Sequence, residues 1–153
     1  MDKNKANIVL LGSGCFWHPE MIFHRTDGIL STRVGYAGGT TENPTYADVC
    51  SGQTGHAEVV KIEFDPNIID FRKLLDIFWD IHDPTQINRQ GVDIGTQYRS
   101  CIFSNYEPYI EIAKNAIETL NASKRYNNPI STILYENMTF FEAENYHQKY
   151  LFR

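Results

Sequence analysis

Residues 8–17 read Ile8-Val9-Leu10-Leu11-Gly12-Ser13-Gly14-Cys15-Phe16-Trp17. The apolar run over 7–12 predicts a buried strand, and a helix is predicted from about Cys15 to His24, with Pro19 in or near its first turn. At such a junction, backbone N–H groups and the helix dipole favour a thiolate on Cys15, and the two aromatic residues behind it can wall an apolar pocket. The same pattern also fits an inert buried cysteine. Cys15 alone therefore does not distinguish a nucleophile from a core residue.

Strands and helices alternate along the remaining sequence. Strands are predicted at 29–36, 56–64, 98–103 and 131–135, and helices at 69–81, 107–124 and 142–150. Two long turn-rich segments, 37–55 and 82–97, interrupt them, and loops of that length in a small domain usually have a function. This order predicts an α+β fold, a two-layer sandwich with a mixed or antiparallel sheet and a ferredoxin-like core. With no repeat or linker, residues 1–153 are expected to form a single domain.

Composition excludes several classes of function. Hydrophobic residues make up 42% and charged residues 22%, which is typical of a globular protein. The net charge of -5 argues against nucleic acid or an anionic membrane as partner. No apolar run approaches the length of a membrane span, and the polar N-terminus does not resemble a secretory signal. The three cysteines have no paired spacing, which favours a reducing compartment, so a cytoplasmic location is expected.

Glu58 is the candidate proton donor for a reaction at Cys15. In the alternating strand 56–64 it shares the more apolar face with Val60, Ile62 and Phe64. Burial on that face would raise its pKa and keep it protonated near neutral pH. Pattern alone leaves a second interpretation open, in which Glu58 lies at the mouth of the strand and is solvated.

Both long loops carry tyrosines among glycines, amides and acids. Tyr46 follows Asn43-Pro44-Thr45, and Tyr98 ends the run 93–98. Hydroxyl groups on rigid loops are suitable hydrogen-bond donors to a polar oxygen of a substrate. Loop tyrosines also serve as ordinary packing, so these two residues alone do not indicate a function.

The chain resembles the peptide methionine sulfoxide reductase A family in seven strings, in the family's order and spacing. The strings are residues 14–17, 35–39, 44–46, 51–60, 82–85, 89–100 and 143–151. The resemblance runs from about residue 8 to residue 151. It implies reduction of methionine-S-sulfoxide, free or in proteins, through a cysteine sulfenic acid, and hence repair of oxidised proteins.

The resemblance also implies roles for individual residues. Cys15 matches the nucleophile that attacks the sulfoxide sulfur, and Glu58 matches the acid that protonates the sulfoxide oxygen. The other matched residues are Tyr46 and Tyr98, which hydrogen-bond that oxygen, Asp93, which supports them, Phe16 and Trp17, which hold the methyl group, and His147, which borders the site.

The resemblance implies no cofactor and no metal, but it leaves open how oxidised Cys15 is returned to the thiol. Many family members carry resolving cysteines in a C-terminal tail, and this sequence has no cysteine after Cys101. We therefore expect an external thiol to restore Cys15, with a glutaredoxin–glutathione system favoured over thioredoxin, and a monomeric enzyme. The second departure is His18-Pro19 directly after the nucleophile motif, which is often followed by glycine in the family.

Three alternatives remain at this stage. A papain-like cysteine hydrolase would use Cys15 and His147, but the motif's first cysteine and its aromatic Trp or Tyr after the nucleophile are missing. A metal site could draw on the three cysteines and five histidines, although no pair has ligand spacing. A thiol sensor would keep a reactive Cys15 but would not need Glu58.

Overall fold

The computed structural model describes residues 7–152. Its strands are β1 (Ile8–Ser13), β2 (Ile29–Ala37), β3 (Ala57–Phe64), β4 (Arg89–Gln90), β5 (Asp93–Ile94), β6 (Ser100–Phe103), β7 (Ile133–Tyr135) and β8 (Phe140–Glu142). Its α-helices are α1 (Trp17–His24), α2 (Tyr46–Cys50), α3 (Phe71–Asp80) and α4 (Glu107–Ser123). Short 3₁₀ turns follow at Thr96–Tyr98, Asn145–His147 and Tyr150–Phe152. Within 7–152, no helix is both long enough and apolar enough to cross a bilayer.

The main sheet is mixed. Its strand order is β7-β6-β1-β3-β2-β8, and all neighbours are antiparallel except β6 and β7. The strands β4 and β5 form a separate hairpin. This arrangement confirms the predicted α+β class with a mixed sheet, while the finer expectation of a ferredoxin-like core stays a prediction.

Side-chain alternation on the strands separates two apolar clusters, one on each face of the sheet. On β1, Val9 and Leu11 join the larger cluster, which contains the buried faces of the helices, while Leu10 belongs to the smaller one. The smaller cluster is covered by side chains near β7 and β8, among them Tyr135 and Phe140. The helices therefore form one layer on one face, as the two-layer prediction requires.

Local signals at the helix starts agree with the observed boundaries. The Asp70 side chain caps α3 by accepting from Lys73 N at 2.9 Å. Thr45 caps α2 in a reciprocal capping box with Asp48. Pro19 lies in the first turn of α1, where its missing N–H costs no intrahelical bond.

The structure corrects the sequence prediction in three places. Residues 142–150 were expected to form a helix, but β8 ends at Glu142 and two 3₁₀ turns follow. Lys149 has φ of 55°, which is incompatible with a continuous right-handed helix. The two long loops also contain regular structure that pattern did not predict, the helix α2 in 37–55 and the β4–β5 hairpin in 82–97.

Candidate active site

Cys15 lies in the short turn between β1 and α1. Gly14 makes the turn possible, because its φ of 97° is unfavourable for other residues and an added Cβ would come 2.9 Å from the Gln90 Cβ. The β4–β5 hairpin therefore packs closely against the residue before the cysteine. Phe16 precedes the first helical residue, so the helix begins two residues later than predicted.

The Cys15 thiol is half-buried, and its electrostatic environment favours the protonated form. Burial raises its pKa to about 11, and the charges of Glu58 and Asp93 act in the same direction. The backbone N–H of Trp17 opposes this shift without overcoming it. The expectation that the start of the helix stabilises a thiolate is therefore wrong for the resting protein, because loss of hydration outweighs the single N–H.

Glu58 lies in β3, on the helix-covered face of the sheet, and is only 1% exposed. Its Oε1 accepts a hydrogen bond from the backbone N–H of Phe16 at 3.2 Å, which places the carboxyl beside the residue next to Cys15. Burial raises its pKa to about 8. Its Oε2 is buried and has no hydrogen-bond partner among residues 7–152. The carboxyl is therefore a neutral acid near pH 7, with one oxygen unengaged.

Tyr46, Tyr98 and Asp93 converge on the same region. The charges of Glu58, Asp93 and Cys15 all act on the Tyr98 hydroxyl, and together with the dominant effect of burial they raise its pKa to about 12. Burial and a hydrogen bond to the Cys50 sulfur raise the pKa of Tyr46. Both hydroxyls therefore stay protonated and can donate to an acceptor.

An aromatic cluster adjoins this polar group. The Phe16 ring is buried and contacts the rings of Tyr36 and His147, with centroids 5.9 and 5.3 Å apart. Trp17 is more exposed and donates its Nε1–H to His147 Nδ1 at 3.0 Å. His147 also packs against Tyr46, with ring centroids 4.4 Å apart. The structure thus brings all eight sequence-predicted residues to one side of the molecule around Cys15.

Two supporting residues of the site were not predicted from the sequence, although both lie in the strings that carry the resemblance. Tyr36 donates its hydroxyl to Glu144 Oε1 at 2.9 Å, and Glu144 Oε2 accepts from the backbone N–H of Tyr46 at 2.9 Å. Glu144 therefore holds the start of α2, which carries Tyr46. An acid three residues before His147 was the available signal, but nothing in its pattern indicated partners 98 and 108 residues away in the chain.

The other two cysteines have different surroundings. Cys101 is completely buried in the smaller apolar cluster, on the sheet face away from the helices, and burial raises its pKa to about 12. Cys50 is exposed, lies at the end of α2 and raises the pKa of Cys15 through its charge. Burial raises the pKa of Cys50 as well. The part of the chain that the structure describes contains no group of three histidine, cysteine or acidic residues arranged to hold a metal ion.

This arrangement suits one kind of chemistry. A neutral carboxylic acid and two tyrosine hydroxyls lie in the region of the Cys15 thiol, and an apolar aromatic wall adjoins them. Such a site can polarise or protonate an oxygen on a substrate while sulfur attacks the atom that bears it.

Comparison with known proteins identifies relatives of this chain. The family model described as peptide methionine sulfoxide reductase matches residues 7–153. A protein named peptide methionine sulfoxide reductase MsrA from Methanothermobacter thermautotrophicus is 53% identical over 140 residues, covering 92% of this chain and 83% of the relative. A protein of the same name from Geobacter metallireducens is 50% identical over 140 residues, covering 92% and 86%.

Two solved structures have a similar fold. The reduced form of Mxr1 from Saccharomyces cerevisiae superposes with a TM-score of 0.87 at 37% identity, covering 94% of this chain and 83% of that one. Methionine sulfoxide reductase A of Corynebacterium diphtheriae gives a TM-score of 0.83 at 37% identity, covering 95% and 74%.

Proposed function

Because the chain belongs to the peptide methionine sulfoxide reductase family, we propose that it reduces the S epimer of methionine sulfoxide, free or in polypeptides, at Cys15. The observation that carries the mechanism is the buried, neutral carboxyl of Glu58, which accepts from the N–H of the residue that follows the thiol. A sulfoxide sulfur is a poor electrophile until its oxygen is protonated or polarised. A thiol sensor would not need such an acid.

We propose that the substrate lies with its methyl group on the aromatic wall and its oxygen towards the acid. Phe16 and Trp17 supply apolar, polarisable surface for the methyl and sulfur. The hydroxyls of Tyr46 and Tyr98 donate to the sulfoxide oxygen, and the charge of Asp93 helps to keep the surrounding acids protonated.

In the reductive step, the Cys15 sulfur bonds to the sulfoxide sulfur while Glu58 gives its proton to the oxygen. The resulting Glu58 carboxylate takes the proton of the thiol. The sulfur can therefore attack although the pKa of the resting cysteine is high. The oxygen then passes to Cys15, and the bond between the two sulfurs breaks. The products are methionine and a sulfenic acid on Cys15.

An external thiol is proposed to complete the cycle. One thiol attacks the sulfenic acid and releases water, and a second reduces the mixed disulfide, so two thiols become one disulfide for each methionine formed. The alternative attackers within the described chain are less favourable: Cys101 is buried on the other face of the sheet, and burial raises the pKa of the Cys50 thiol. A glutaredoxin–glutathione system is the favoured reductant, with thioredoxin second.

We further propose that the enzyme acts as a monomer in the cytoplasm. The residues assigned to the site are brought together within one folded chain, as a monomeric enzyme requires, and the three free cysteines suit a reducing compartment.

The test is turnover of each purified sulfoxide epimer with dithiothreitol, then with glutathione plus glutaredoxin, and then with thioredoxin. The expected result is methionine from the S epimer only, with the glutaredoxin system faster than thioredoxin. Absence of turnover of both epimers with dithiothreitol would refute the proposed activity, whereas faster reduction by thioredoxin would change only the assignment of the reductant.

A further inference from the structure

The segment from Ala143 to Tyr150 passes along the site, and its His147 and Tyr150 rings contact the aromatic wall formed by Phe16 and Trp17. We propose that His147 in this segment is a positioning residue, which fixes the indole ring of Trp17 and thereby sets the shape of the methyl-binding wall. The inference rests on the proposed function, since the wall has this meaning only if a methylsulfinyl group binds there.

Two contacts hold the Trp17 indole from different directions. Its Nε1–H donates to His147 Nδ1 at 3.0 Å. One ring face stacks on Tyr150, with centroids 3.8 Å apart and planes 13° apart. A partly exposed indole would otherwise populate several rotamers, so a hydrogen bond at the edge and a ring on the face together select one.

The hydrogen bonding of His147 indicates that the function of its ring is to present Nδ1 as an acceptor to Trp17. Because Nδ1 accepts from Trp17, the neutral imidazole carries its proton on Nε2. That nitrogen is buried and has no partner among residues 7–152. A phenyl ring would fill the same space without an unpaired N–H, so packing alone does not account for a histidine here.

The backbone on the C-terminal side of His147 is anchored to the elements that carry the site. The Gln148 side chain bonds to both the N–H and the carbonyl of Val34 in β2, each at 2.8 Å. The Lys149 N–H and ammonium both bond to the buried carboxylate of Glu20, at 2.7 and 3.0 Å. Glu20 belongs to α1, the helix that begins with Trp17. The ring and the indole are therefore fixed to the same helix, which makes the distance between them resistant to movement.

His147 also connects the two halves of the proposed site. Its ring lies against Tyr46, with centroids 4.4 Å apart, and against Phe16, with centroids 5.3 Å apart. Displacement of the imidazole would disturb the methyl wall before it disturbed Cys15 or Glu58, which it does not hydrogen-bond. We therefore expect its loss to weaken substrate binding more than the chemical step.

The experiment compares His147→Leu with His147→Asn, two side chains of similar size. The Asn variant places a carboxamide oxygen near the position of Nδ1, and the Leu variant offers no acceptor. His147→Leu should raise KM for the S epimer by about tenfold, the factor expected when one hydrogen bond to a positioned side chain is lost, and should change kcat less. His147→Asn should recover most of the loss. Phe152→Leu is the control, because Phe152 packs on His24 and Arg25 rather than on Trp17.

A second readout follows Trp17 directly. In a Trp79→Phe background, in which Trp17 is the sole tryptophan, fluorescence anisotropy should fall in the Leu variant and stay near the parent value in the Asn variant. Nitrogen NMR of the wild-type protein, which does not depend on any variant folding, should find His147 neutral with its proton on Nε2. Equal KM values for the Leu and Asn variants, unchanged anisotropy in the Leu variant, or a proton on Nδ1 would overturn the proposal. If wild type released no methionine, the proposed function would fail, while the anisotropy and NMR results would still test the contact.

Discussion

Replacing Glu58 by Gln is expected to change catalysis and stability in opposite directions. The amide retains an oxygen that can accept from Phe16 N, so the local hydrogen bond of 3.2 Å survives. It has no acidic proton to give to a sulfoxide. We expect the reductase step to slow by about 100-fold or more, the usual contribution of a positioned acid, which corresponds to about 2.7 kcal/mol of activation free energy.

The pH dependence of the same step reports on the acid. Burial raises the pKa of Glu58 to about 8, and the proposed reaction starts with this proton in place. The rate of methionine formation in wild type should therefore fall as pH rises through about 8. Glu58→Gln should lack this fall, because its side chain does not titrate.

Stability should respond with the opposite sign. The folded-state pKa lies above the ordinary value of 4.5, so stability from the protonated carboxyl is fully present below that value and is lost as pH rises through about 8. A shift of this size corresponds to a change on the order of 4 kcal/mol over that range. Glu58→Gln does not undergo this loss. The difference in unfolding free energy between Glu58→Gln and wild type should therefore increase in favour of the variant as pH rises.

Urea unfolding at about pH 5 and about pH 8.5 measures this difference. Glu63→Gln is the matched control, because Glu63 lies on the same strand but on its more exposed face. A wild-type rate for Glu58→Gln in single turnover would refute the acid role. A pH-independent difference in unfolding free energy between wild type and Glu58→Gln would refute the raised pKa on which that role depends.

Three further outcomes test other residues of the site. Cys15→Ser should release no methionine in a single turnover, whereas Cys50→Ser should release as much as wild type; full release by Cys15→Ser would contradict the assignment. Tyr46→Phe and Tyr98→Phe should each slow the reductase step by less than Glu58→Gln, since they share one oxygen, and the double variant should be far slower; additive small effects in stopped-flow kinetics would count against a shared role. After one equivalent of substrate, mass spectrometry should find no Cys15–Cys50 disulfide, and its rapid formation would show an internal route of regeneration.

The sequence predicted the central elements because their patterns are local. The apolar run from Ile8 and the alternation around Glu58 each identify a strand and its buried face, and both occur as expected. The helix predicted for residues 142–150 was wrong because its conformation is not set locally. Its conformation depends on Gln148 bonding to Val34 and Lys149 bonding to Glu20, residues more than one hundred positions away in the chain.

In the candidate site too, features set by local pattern were predictable, whereas features set by distant residues or by the extent of burial were not. Sequence pattern placed Glu58 on the apolar face of its strand but left open whether the carboxyl is buried or solvated, and the structure shows that it is buried. It predicted the wrong protonation state for Cys15, because the position at the start of a helix is visible in sequence but the extent of burial is not. The role of Glu144 in holding Tyr46 was invisible for a related reason, as both partners are polar and distant in sequence.

The proposed mechanism requires that oxygen passes from methionine sulfoxide to the sulfur of Cys15. The most direct measurement mixes wild-type protein with the S epimer without any reductant, adds dimedone, and counts both the methionine released and the modified cysteines by mass spectrometry. We expect about one methionine per protein and a dimedone adduct on Cys15 alone. Methionine formed while Cys15 remains an unmodified thiol would contradict it.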